Sequence, residues 1–165
     1  MGSTTLQLAT QFTSWPIDWV IFVACTAIFT LESFKSGSSR TRALSIALPL
    51  SVLLSQLFPH TIGFSLVAQY FTTPLAQNIE FLAVMVVFFI LLYRLFFGYG
   101  FGSGSMISAL MNGFAATIIL YVVWLQIPSL DSVWHLSDQV RALFGESYRL
   151  LWLVLAFVLM AIAAS

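Results

Sequence analysis

Charge is what this sequence has least of. Of its 165 residues only 7% are charged, six Lys or Arg against six Asp or Glu, where a soluble domain carries about a quarter. The six cations never gather into a patch, so the electrostatic footprint of a nucleic-acid-binding surface is missing. There is one cysteine, Cys25, in the middle of an apolar run, so no intrachain disulfide is possible and the redox compartment is not indicated. The first 17 residues hold no Lys or Arg, which argues against a cleavable signal peptide, and no prenylation or GPI pattern is visible. There is no H-E-x-x-H. The alternating Gly98, Gly100, Gly102 and Gly104 match neither the dinucleotide nor the Walker spacing, so they read as a turn. His60 and His135 lack a third ligand at metal-binding spacing. No catalytic, cofactor or metal site is expected.

What is abundant is apolar sequence: 60% of residues are hydrophobic and 16% aromatic. The stretch from Glu80 to Arg94 is apolar around a whole helical circumference, and Met106 to Trp124 nearly so. A helix with no polar face has no place on a water-soluble core, so the solvent it fits is lipid. About 20 such residues span ~30 Å of hydrocarbon at ~1.5 Å each. The expectation is one all-α polytopic membrane bundle over 1–165, with about five transmembrane helices at 16–34, 43–58, 77–97, 106–126 and 148–164. The hairpin from Gln77 to Gln126 is expected to organise it. Interfacial amphipathic helices are expected at 60–73, with a re-entrant segment over 59–78 as the alternative, and at 131–144, the latter capped by Ser129 or Asp131 and ended by Gly145. Ser14 is the expected cap of the first helix, and Pro49 is expected to kink the second.

Cation placement sets the expected orientation. Lys35, Arg40 and Arg42 fall in a polar loop between helices one and two, and Arg94 ends helix three. Under the positive-inside rule these ends face the cytoplasm, leaving the N-terminus outside and the C-terminus inside. Ser105, Ala109 and Gly113 recur every four residues, a small-residue stripe that lets helix backbones approach. Asn112 lies beside that stripe and is the first choice for a functional polar residue. Asp18, Glu32 and Glu80 are expected as interfacial charges at helix ends, since no acid lies near the midplane, where proton-coupled carriers bury one. Beyond lipid, the expected partners are other membrane helices, of this chain or another.

Several short features resemble the colicin V production protein family of bacterial inner-membrane proteins. They are Asp18 at the start of helix one; Lys35, Gly37, Arg40 and Arg42 before helix two; Thr73 to Leu75 leading into Ile79, Phe81 and Leu82; Gly113; and Trp134 with Ser137. The uncharged glycine–serine turn and the fifth crossing depart from that family's pattern. The resemblance implies a non-enzymatic accessory or scaffold protein supporting peptide-toxin secretion or envelope upkeep. The alternative is a small oligomeric channel or transporter lined by Asn112, Thr117 and Gln126.

Overall fold

A computed structural model describes residues 17–57, 73–97, 105–131 and 133–164. The expected helix at 60–73, the Ser14 cap, His60 and the glycine turn at 98–104 lie outside these. The described residues form α1 (Ile17–Ser36), α2 (Ser38–Leu57), α3 (Pro74–Phe97), α4 (Met106–Trp124), α5 (Pro128–Asp131), α6 (Asp138–Phe144) and α7 (Arg149–Ile162), with no strand among them.

Gly37 alone separates α1 from α2. Its φ of +80° is left-handed, open to glycine at little cost, and it reverses the chain in one residue. The polar loop expected from Glu32 to Arg42 is therefore helix on both sides of one glycine. Polarity there marks a buried face instead: Ser38, Thr41, Arg42 and Ser45 are all buried. The Ser45 hydroxyl donates to the Thr41 carbonyl at 2.8 Å, and Ser51 donates to that of Ala47. α2 continues through Pro49, whose missing N–H withdraws a helical bond from the Ser45 carbonyl.

α4 is the centre. α1, α2 and α7 pack on it, while α3 packs on α2 and α5. The hairpin expected to organise the bundle is thus opened out: α3 and α4 are not a principal packing pair among the described residues. Gly113 explains how α1 comes so near. A Cβ there would stand 2.2 Å from Thr30 Oγ1 and 2.6 Å from its backbone nitrogen, so the crossing closes only around a glycine. One turn on, the Thr26 and Thr117 hydroxyls lie 3.1 Å apart across the same interface.

Contacts between helix ends fix how the elements run. The start of α2 meets the end of α3 through Arg40 and Tyr93, and the start of α4 and end of α7 through Arg42. At the opposite end α1 begins beside the end of α4, joined by Tyr121 and Asp18. The long helices therefore alternate in direction. Lys35, Arg40, Arg42 and Arg94 share one end with Glu32; Asp18, Glu80, Asp131, Asp138 and Glu146 share the other with Arg141 and Arg149.

The C-terminal third departs furthest from expectation. The helix anticipated at 131–144 is two pieces, α5 and α6, with residues 134–137 non-helical between them, and Ser137 rather than Ser129 or Asp131 is the N-cap. The crossing expected at 148–164 contains a 14-residue helix, ~21 Å long, too short to traverse the hydrocarbon alone. α6 and α7 meet at 72°. The bend falls just after Gly145, where a Cβ would lie 2.3 Å from the Arg141 carbonyl oxygen. The Trp152 indole, donating to the Leu143 carbonyl at 2.7 Å, ties the two arms.

Among the described residues three helices are long and apolar enough to cross a membrane: α1, residues Leu75–Leu95 of α3, and α4. Counting the bent α6–α7 pair as one span makes four. α2 falls short in hydropathy because its first turn and a half is Ser, Arg and Thr.

Candidate functional site

Three groups of polar side chains stand out among the described residues. The first surrounds Asp18. Expected at an interface, it is only 3% exposed, and its carboxylate accepts from the Trp134 indole at 3.1 Å and from the Ser137 backbone N–H at 2.6 Å. Tyr121 donates its hydroxyl to the Asp18 backbone carbonyl at 2.7 Å. A buried carboxylate requires such donors, and the Ser137 N–H at the start of α6 is turned to it. Below this node Phe22, Tyr121, Phe144 and Trp152 pack ring against ring, with centroids 4.9 to 6.0 Å apart. Asp18, Trp134 and Ser137, three positions of the resemblance, thus meet in space although the tryptophan is 116 residues from the aspartate.

The second group lies at the cation-rich end. Arg42, expected as a free loop charge marking orientation, is buried. Its Nε donates to Asn112 Oδ1 at 3.3 Å and its Nη2 to the Ala163 carbonyl at 2.8 Å. Ser108 also donates to that carbonyl, at 2.7 Å, and Asn112 Nδ2 donates to the Ser108 carbonyl at 2.9 Å. Ala163 is the C-cap of α7, so a cation and a hydroxyl together satisfy one carbonyl that has no helical partner and lies at the negative end of the helix dipole. Asn112 belongs to this network, completely buried, and serves as the arginine's partner.

The third group is a cleft of about 430 Å³ between α1, α2 and α3, lined by Phe29, Glu32, Arg40, Thr41, Leu44, Phe89 and Tyr93. Arg40 lies 3.5 Å from Glu32 in an ion pair half open to the outside. Its guanidinium stands over the Tyr93 ring, 5.5 Å from the centroid, and Nε donates to the phenol oxygen at 3.4 Å. Lys35 and Arg94 are exposed near the same end.

The small-residue stripe divides. Ala109 and Gly113 are buried in the bundle, whereas Ser105 is exposed and caps α4, accepting from the Ser108 N–H at 3.2 Å. At the acidic end Asn78 and Ser129 bond each other, Ser129 Oγ to Asn78 Oδ1 at 2.6 Å. A second cleft, about 290 Å³, is lined there by Glu80 and Gln126 among others. Among the described residues no three His, Cys, Asp or Glu side chains stand close enough to hold a metal. Tyr93, Thr41, Ser108, Tyr121, Trp134 and Ser137 were not anticipated as site residues. Only Trp134 and Ser137 left a trace in the sequence, as a short motif.

No family model, curated protein or solved structure matches this chain.

Proposed function

We propose that the chain is a multi-pass protein of the bacterial inner membrane with five crossings. α2 is the most polar of these and the α6–α7 pair is bent. The cation-rich end faces the cytoplasm, so the N-terminus is outside and the C-terminus inside. Its role is that of a non-enzymatic accessory or scaffold, the part that the resemblance implies in peptide-toxin secretion or envelope upkeep. Its partners are lipid and other membrane helices.

What carries this is how α4 is used. Its polar residues Asn112 and Thr117 are wholly buried and committed to bonds with Arg42, Ser108, Gly113 and the Thr26 hydroxyl. They tie helices together, which weighs against a channel through a single bundle. In contrast almost none of α3 is buried, leaving a long apolar helix to face lipid or another protein's helix.

Single-cysteine labelling in a Cys25→Ser background tests the placement. Lys35→Cys is expected to react with an impermeant maleimide only after the cytoplasmic face is opened, and Glu146→Cys in intact spheroplasts. The reverse pattern refutes the orientation. Proteoliposomes are expected to stay tight to ions and small solutes; a flux abolished by Asn112→Leu would replace the scaffold with the channel.

A further inference from the structure

The cleft between α1, α2 and α3 is layered. Glu32 lies about one turn from the end of α1, Arg40 in the first turn of α2, and Tyr93 about one turn from the end of α3. All three therefore stand at one level near the cation-rich end. Three or four residues deeper on the same helices come Phe29, Leu44 and Phe89, the other major lining groups. A charged and phenolic rim thus overlies an apolar floor.

Between rim and floor is Thr41. It is 1% exposed and lines the cleft, and its hydroxyl has no hydrogen-bond partner among the described residues. Buried hydroxyls almost always have a partner, and an unmet one beside an open cleft asks for an acceptor from outside the chain. The rim is not simply basic either. Arg40 carries Glu32 at 3.5 Å, so an anion bound to the guanidinium would also face a carboxylate. The ligand that answers both charges carries both signs.

We infer that this cleft binds a glycerophospholipid whose headgroup holds a phosphate and a primary ammonium. Arg40, braced over Tyr93, takes the phosphate, and Glu32 takes the ammonium. The Thr41 hydroxyl donates to an ester carbonyl, and one acyl chain lies against Phe29, Leu44 and Phe89. The volume falls within the usual range for a small-ligand site. The inference rests on the chain being embedded with this end at a membrane surface, and the experiment separates the two.

The full chain is reconstituted into nanodiscs of equal phosphatidylethanolamine and phosphatidylglycerol. Incorporation is scored first by flotation. Lipid retained after mild delipidation is then measured by native mass spectrometry. Phosphatidylethanolamine is expected to be retained over phosphatidylglycerol by about threefold, the scale of one partly exposed charge contact. Glu32→Gln is expected to abolish that preference. Arg40→Gln is expected to reduce retention of both lipids. Thr41→Val keeps the shape and is expected to weaken retention while leaving the preference in place. Glu32 and Arg40 are half-exposed, so their variants should incorporate like the parent. Failure to incorporate refutes the membrane reading itself. An incorporated chain that retains the two lipids equally, or whose preference survives Glu32→Gln, overturns the site alone and leaves the membrane reading intact.

Discussion

α3 and α4 are nearly matched in hydropathy, yet hardly any of α3 is buried while most of α4 is. Apolarity therefore does not decide which helix forms the core of such a bundle; side-chain size does. Along α4, Ser108, Ala109, Asn112, Gly113, Ala115, Ala116 and Thr117 keep the surface low enough for neighbouring backbones to come close. Between Phe81 and Leu95, α3 has a single small residue, Ala83, amid Val, Leu, Ile, Met and Phe with Tyr93 and Arg94 near its end. In lipid there is no hydrophobic drive between helices, so dispersion and hydrogen bonds are left to choose the partners. A helix lined with bulky side chains can meet both lipid and protein; one lined with alanine and glycine gains most from protein.

The sharpest way to break the contrast is to give α4 bulk. Gly113→Leu drives a side chain into Thr30, and an expected loss of about 3 kcal/mol or more should appear as collapse of the monodisperse peak on size exclusion in detergent. The matched change on the exposed helix, Ala83→Leu, should shift stability by less than about 0.5 kcal/mol in the same assay.

Asn112→Leu comes next. It removes a buried partner of Arg42 while leaving the Ala163 carbonyl in place, and about 2 kcal/mol should be lost in a denaturant titration followed by tryptophan fluorescence. Asp18→Asn leaves an acceptor but removes the charge, so the expected loss is smaller, about 1–2 kcal/mol. Its signature is regional: hydrogen exchange should speed up in 134–144 while α4 stays protected. Smallest of all, Val87→Ala on the exposed face of α3 should leave the unfolding midpoint within about 0.5 kcal/mol of the parent. A large effect there would mean that α3 has a partner helix in the detergent particle and is more than a lipid-facing wall.

How much of this could be read beforehand follows from what each signal measures. Apolar runs report solvent, and they located the first four long helices. They could not report that one glycine suffices between α1 and α2, because a polar turn of a helix and a polar loop have the same composition. Nor could they show that α6 breaks from α7, which depends on Gly145 meeting the Arg141 carbonyl. The four-residue spacing of Ala109 and Gly113 did point to close approach, since it measures helix surface directly. Charge said least about burial. Asp18 and Arg42 do lie near helix ends, yet each is buried by partners from remote segments. No local spacing could join Asp18 to Trp134, or Arg42 to Ala163, 121 residues away.

The segregation of charge between the two ends has an electrical side. An energised membrane holds its interior negative, and each elementary charge carried across it changes the energy by about 2.3 kcal/mol per 100 mV. In the orientation proposed above, with four of the six cations inside and five of the six acids outside, the voltage would hold the molecule in its seat. Turning the bundle over would work against that field at both faces together. In that orientation the resting potential would act as a clamp on topology, one that holds only while the membrane stays energised.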